Sequence, residues 1–225
     1  MAKPKTPEHL QRCEDAAAKL LQGKKKISHA DVLRTFRLIK AADWPTQVRP
    51  NVAPTANPEV TGLVLGLSPN RQGGCSIAQA SQQCPSLTQV VTKWIRDTLP
   101  DAAFRYGSIQ VNYNYRARKH IDSNNLGPSY IVALGSFEGG QLWTGDRGIL
   151  DCREKWCLFD GNTEHATEPY SGKDRRGAAS ETFAEPRRRR AALARRHRRD
   201  IYTYTQVLVH PVHAGPLQQA HQIYM

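Results

Sequence analysis

From Phe104 to Phe159 the apolar residues come in short runs: Tyr106–Tyr115, Ser129–Leu134, Gly140–Trp143 and Lys155–Phe159 are rich in β-branched and aromatic side chains. Gly127-Pro128, Gly139-Gly140, Asp146-Arg147-Gly148 and Asp160-Gly161 cut them apart. Turn residues at that spacing predict strands joined by tight connections. Short strands at this spacing suggest a β-sandwich or barrel.

The preceding chain has a helical period. Thr6-Pro7 offers an N-cap and a first helical position, and Leu10, Ala17, Leu20 and Leu21 follow at helical spacing up to Gly23. Ser28 opens a second helix carrying Val32, Leu33, Phe36 and Leu38-Ile39. Pro45, Pro50, Pro54 and Pro58 predict an extended crossing, Val60–Leu67 a strand, Ser68–Pro85 a loop, and Leu87–Leu99 a helix with Val90, Val91, Trp94 and Ile95 on its apolar face. The expected organisation is a helical flank over 1–57, a β core over 58–172, an arginine-rich low-complexity segment over 173–200, and a tail over 201–225. In that tail, Ile201–Val209 reads as a strand.

The formal net charge of +12 is concentrated in one segment. Residues 173–200 hold eleven Lys/Arg against four Asp/Glu, so seven of the twelve charges sit there and the preceding 172 residues carry the other five. That segment reads either as a phosphate-contacting patch or as solvated polar chain. The polar start, Met-Ala-Lys-Pro-Lys-Thr-Pro-Glu-His-Leu, has no apolar secretory region, and Val60–Leu67 is too short to cross a bilayer. Five cysteines with no C-x-x-C pair read as free thiols of a reducing compartment. The expectation is an intracellular protein of the nucleus or cytoplasm, with no membrane partner.

His-x-Asp occurs twice, as His29-Ala30-Asp31 and His120-Ile121-Asp122. In the first, Ser28 stands as a helix N-cap with Asp31 three residues on, a variant of the capping box; residues i and i+2 of a helix diverge and chelate poorly. The second follows a strand-like run, where i and i+2 share a face. His165 lies 43 positions after Asp122, enough chain to cross a sheet and return opposite it. Two imidazoles and one carboxylate can hold a non-heme Fe(II) on one face and leave three positions open.

Four stretches then line up in order. They are Asn112-Tyr113-Asn114-Tyr115; His120-x-Asp122-x-x-Asn125-x-Gly127-x-Ser129; Leu134-Gly135-x-Phe137-x-Gly139-Gly140-x-Leu142; and Phe159-Asp160-Gly161-x-x-x-His165. Together, over about residues 104–172, they resemble the Fe(II)/2-oxoglutarate dioxygenases. The Asn-x-Gly-x-Ser and Phe-x-Gly-Gly-x-Leu pieces are similar to the branch of the base-J-binding-protein and ten-eleven-translocation enzymes, which oxidise pyrimidine methyl groups in nucleic acid. The resemblance implies a mainly β fold with an α flank, a double-stranded β-helix (jelly roll) preceded by N-terminal helices. It implies His120, Asp122 and His165 as iron ligands, and Fe(II), 2-oxoglutarate and O2 as cofactors with ascorbate as reductant. The implied function is C–H hydroxylation, with a nucleic-acid base as substrate. A prolyl-type protein hydroxylase is the enzyme alternative. A degenerate, non-catalytic copy acting as a basic nucleic-acid-binding module is the other.

Tyr113 or Tyr115 is expected to hydrogen-bond the co-substrate carboxylate or else to pack on the barrel, and Asn125 to fix the loop behind the metal or cap a turn. In this family an arginine after the distal histidine forks onto the far carboxylate of 2-oxoglutarate. Arg175 stands near that place, but Gly-Ala-Ala-Ser-Glu-Thr after it is no barrel strand. If 173–198 is an insertion, Arg199 takes the role ahead of the 201–209 strand. If the tail is foreign sequence from a shifted reading frame, the barrel lacks its last strands.

Overall fold

The structure is a computed structural model that describes residues 4–49, 52, 59–69, 74–122, 125, 127–172 and 204–211. Arg175, Arg199 and the arginine run lie outside the described residues. The described residues are mainly β, in several antiparallel sheets, with four α-helices. None of those helices is long and apolar enough to cross a membrane.

Helices α1 (Glu8–Gly23), α2 (His29–Phe36), α3 (Gln79–Gln83) and α4 (Pro85–Thr98) form the flank. Helix α4 starts with proline at its first position and buries Leu87, Val90, Val91, Trp94 and Ile95 at helical spacing. Its N-terminus has no side-chain cap of its own. Glu14 of α1 supplies one, accepting from the backbone N–H groups of Ser86 (2.7 Å) and Leu87 (2.9 Å), where a carboxylate also meets the positive end of the helix dipole.

The strands are β1 (Thr46–Val48), β2 (Glu59–Pro69), β3 (Cys75–Ile77), β4 (Tyr106–Tyr113), β5 (Ser129–Gly135), β6 (Phe137–Gly139), β7 (Leu142–Thr144), β8 (Gly148–Leu150), β9 (Cys157–Phe159), β10 (His165–Thr167), β11 (Tyr170–Gly172) and β12 (Tyr204–Pro211). The large sheet runs β1-β2-β4-β12-β5-β9, with β3 beside β2; a second sheet runs β10-β7-β8, and β11 pairs with β6. The strand expected over 201–209 is therefore present from Tyr204, inserted between β4 and β5 with Val207 opposite Val111 on one side and Val132 on the other. The sheet does not end at residue 172; its middle is supplied by chain beyond the arginine run.

Strand periodicity divides the core in two. Ile109, Val111, Val132, Leu134, Val207 and Val209 face the helices, in one cluster with Leu10, Phe36, Trp94 and Ile95. The alternate residues Ile131, Ala133 and Leu208 join Phe137, Leu142, Cys152 and Phe159 on the opposite face. Gly139 has φ +76°, and a Cβ there would run into the backbone oxygen of Pro169 where β6 meets β11, so the Gly-Gly signal marks a close backbone approach as well as a turn.

Three local expectations change. Pro7, not Thr6, is the N-cap of α1; the Thr6 hydroxyl has a tertiary acceptor, the carbonyl of Gln83. The second helix stops at Phe36, and Leu38 and Ile39 close it by bonding to the carbonyls of Thr35 and Phe36. The loop expected over 68–85 contains β3 and α3: β3 is three residues long, pairs on one side only among the described residues and exposes Cys75 and Ser76, so it lacks the apolar alternation of a buried strand.

Candidate metal centre

After Tyr113 the chain leaves the large sheet at Asn114, which takes φ +44°, a left-handed conformation that asparagine tolerates. It then runs along β10: Thr167 N–H donates to Ala117 O (3.1 Å), and His120 and His165 exchange both backbone hydrogen bonds, at 3.0 and 2.9 Å. That reciprocal pair is a one-residue antiparallel bridge, which sets the two histidines directly opposite with side chains on one face. The His-x-Asp segment is thus extended, as expected, but outside the regular strand β4. Two residues on, Asp122 N–H donates to Gly161 O at 2.8 Å. A Cβ on Gly161 would collide with the Asn125 amide and sit in ordinary contact with Cβ of Asp122, so a larger residue there would displace the Asn125 side chain. Alternation turns the middle residue outward: Ile121 is 46% exposed, whereas His165 is 2%.

The three predicted ligands converge. Nε2 of His120 lies 3.6 Å from Oδ1 of Asp122, and Nε2 of His165 lies 3.7 Å from Oδ2. One ligand atom from each falls within 4.8 Å of the others, so the group can hold a metal ion. Adjacent ligands about 2.1 Å from one ion sit about 3 Å apart, and the two His–Asp gaps are within about 1 Å of that spacing. Each Nδ1 lies against a backbone carbonyl, Arg118 O at 2.8 Å for His120 and Thr163 O at 2.9 Å for His165. A carbonyl only accepts, so Nδ1 carries the proton and Nε2 presents its lone pair inward, the tautomer metal binding requires. Among the described residues, Nε2 of His165 is buried without a hydrogen-bond partner, a cost a metal would relieve. Burial, with His165 alongside, holds the pKa of His120 below its ordinary value.

The cleft around these ligands is lined by Arg49, Asn112, Tyr115, Thr167, Gln206, Leu208 and His210 among others. Tyr115 is in its wall, its hydroxyl donating to Val52 O and its pKa pushed up to about 12 by burial. Tyr113 is elsewhere: its ring stacks on Trp44 at 4.6 Å in the core beneath the helices. Asn125 closes a turn onto Asp122 O (3.2 Å), and its carbonyl receives the amide of Asn162 (3.3 Å), which ties the ligand loop to the 160–163 turn. Arg175 and Arg199, the expected carboxylate partners, fall outside the described residues.

Sequence reasoning missed Arg49, Gln206 and His210. Nη2 of Arg49 is 3.7 Å from Oδ1 of Asp122. Gln206 donates to Thr167 Oγ1 (3.3 Å), and Nδ1 of His210 pairs with Ser129 Oγ (3.0 Å). Burial, aided by Arg49 and His165 and opposed by Asp122, lowers the His210 pKa. The alternation Gln206, Leu208, His210 was a usable signal once 201–209 was read as a strand; Arg49 sits in a proline-punctuated stretch with no motif. No protein-family model matches this chain, and no curated protein matches it.

Proposed function

We propose that the chain is an oxidoreductase, an Fe(II)/2-oxoglutarate-dependent dioxygenase in which His120, Asp122 and His165 hold the iron. The observation that carries this reading is the donor geometry: two histidine Nε2 atoms, with their Nδ1 atoms against backbone carbonyls, aim at the two oxygens of one carboxylate. Strand order supports a double-stranded β-helix. The series β4-β12-β5-β9 forms one wall, and the His120 bridge followed by β10-β7-β8 forms the other, with the chain alternating between them. When bound, iron with 2-oxoglutarate and O2 supplies the oxidant for a C–H bond and yields succinate and CO2. The protein's residues fix the ligands, keep the imidazoles in one tautomer and line a cleft that shields the reaction.

The substrate we favour is a nucleic-acid base, on the resemblance to the base-J-binding-protein and ten-eleven-translocation branch; a protein side chain is the competing substrate. A salt-sensitive affinity for DNA or RNA that depends on Arg118 and Lys119, beside the ligands, rather than on the 173–200 segment supports the first. A second reading, a metal-binding copy without turnover, has its own observation: β12 offers the cleft Gln206, Leu208 and His210, none of which forks onto a carboxylate as arginine does.

Succinate formation from 2-oxoglutarate with Fe(II), ascorbate and O2 tests both, because uncoupled turnover needs no knowledge of the substrate. Turnover by the native chain and its loss in Asp122→Ala is the expected result. Metal binding without any turnover would favour the inert copy.

A further inference from the structure

Arg49 is the cation that neither the ligand set nor the helical core explains. Among the described residues lining the cleft, it is the one Lys/Arg, and Asp122 is the one Asp/Glu. It follows β1, whose pairing with β2 (Val48 opposite Glu59) ends just before it, and its position is built rather than incidental. Val52 N–H donates back to Arg49 O (3.2 Å), and the carbonyl of Val52, a residue 2% exposed, receives both the Arg118 N–H (3.0 Å) and the Tyr115 hydroxyl. Arg49 is therefore tied, through Val52, to the segment that carries His120 and Asp122. The guanidinium reaches Oδ1 of Asp122 at 3.7 Å, with the arginine side chain 30% exposed and the carboxylate 14%.

We propose that Arg49 is the anion-binding residue of this cleft, held on Asp122 while the site lacks metal and released to a dicarboxylate when a divalent metal takes that carboxylate. The inference deepens the oxygenase reading and rests on it for the identity of the dicarboxylate. Charge balance drives it. Asp122 and Arg49 cancel with the imidazoles neutral, so a divalent ion leaves the cleft with two uncompensated positive charges in a partly desolvated space. A dianion restores neutrality, and a planar guanidinium beside the open side of the metal can meet one of its carboxylates through two parallel hydrogen bonds. Metal and anion then bind with positive coupling, and Arg49 acts with opposite sign on the two: it competes with the metal for Asp122 and attracts the anion. A residue that merely props the fold would weaken both.

The test is calorimetry on the full chain with Mn(II) as the metal and 2-oxoglutarate, succinate or acetate as the anion, comparing native protein, Arg49→Met and Arg49→Lys. Expected for Arg49→Met is Mn(II) affinity raised by about threefold or more, because the cation that competes with the metal for Asp122 is gone. Its 2-oxoglutarate affinity in the Mn(II)-loaded chain should fall by about ten- to a hundredfold, the range for hydrogen bonds to a charged group. Arg49→Lys, which keeps the charge and loses the fork, should lie between. Unchanged 2-oxoglutarate affinity in Arg49→Met, or a parallel loss of metal and anion binding, would overturn the proposal and leave the oxygenase reading standing. Arg49-dependent binding of succinate, but not of 2-oxoglutarate, would uphold the anion site and count against the oxygenase. Failure of the Mn(II)-loaded native chain to take either dicarboxylate, or equal preference for acetate, would overturn it as well.

Discussion

The same triplet, His-x-Asp, stands in two regions of this molecule and does two unrelated things. At 29–31 it opens α2. Asp31 accepts from the Ser28 N–H (3.0 Å) and hydroxyl (2.7 Å), from Nζ of Lys24 (2.8 and 2.9 Å) and from Arg34, so its oxygens are fully occupied. His29 turns away from it to meet Trp94, edge to face at 5.5 Å. At 120–122 the chain is extended, both side chains point the same way, and Asp122 meets two histidine Nε2 atoms and one arginine. The difference is the backbone period. Two residues along a helix is more than half a turn, while two residues along a strand is a return to the same face. A carboxylate whose lone pairs are filled by its own helix start has none left for an ion.

The largest expected effect separates the two directly. Asp122→Ala should lower Mn(II) affinity by more than about a hundredfold, since outer-shell partners alone are worth about ten- to a hundredfold. Asp31→Ala should leave it within a factor of about two. Titration of both variants with Mn(II) reads this, and a matched loss in the two would erase the distinction.

Stability should divide the other way. Asp31 is 1% exposed and completes a capping box, so Asp31→Ala loses a cap and several charge-assisted hydrogen bonds. The expected cost is about 2–3 kcal/mol by urea denaturation. The larger penalty of a fully buried pair does not apply, because the Lys24 side chain is 44% exposed and rehydrates. Asp122→Ala in metal-free protein should cost less than about 1 kcal/mol, since its arginine partner is also partly solvated. A greater loss at Asp122 than at Asp31 would reverse the comparison.

How much of this was legible depended on whether the signal was local. The capping box was, because Ser28 and Asp31 act within one helical turn. The convergence of His120, Asp122 and His165 was, because alternation puts 120 and 122 on one face, and the turn residues Asp160-Gly161 bring the chain back at His165. The β character of 104–159 was also legible from its glycine punctuation. What was not legible was nonlocal. Tyr113 and Tyr115 each left two readings open, site residue or packing, and the left-handed Asn114 divides them: Tyr113 packs under the helices while Tyr115 lines the cleft. Arg49 enters the cleft only because Val52 docks on the ligand segment across more than sixty residues. The place of β12 between β4 and β5 depends on pairing with strands far earlier in the chain, which composition does not record.

Acid should also act on the first triplet through Asp31. Burial pushes its carboxyl up, but the hydrogen bonds from Lys24 and Ser28 outweigh that and hold it well below the usual value of 3.8. The folded state therefore binds fewer protons than the unfolded chain in this range. Its contribution is complete above pH 3.8 and is lost as pH falls through the lower folded value. The urea midpoint of the native chain should drop across that window, and Asp31→Asn should show a shallower drop. An unchanged acid slope in Asp31→Asn would assign the acid loss to other carboxylates.

The smallest effect tests whether the helix start is as closed as it looks. The Ser28 hydroxyl is used twice: it accepts from Asp31 N–H at 3.3 Å and donates to Oδ2 at 2.7 Å. Ser28→Ala removes both and should cost about 1 kcal/mol, the usual worth of an N-cap, with Asp31 kept in place by Lys24 and Arg34. Ser28→Thr retains the hydroxyl and should stay within a few tenths of a kcal/mol of native. Neither should alter Mn(II) affinity. If Ser28→Ala instead gave the chain a second Mn(II) equivalent, freed lone pairs on Asp31 would be enough for a helical His-x-Asp to bind an ion. Saturation by local hydrogen bonds, rather than backbone period, would then be what keeps the first triplet from being a site.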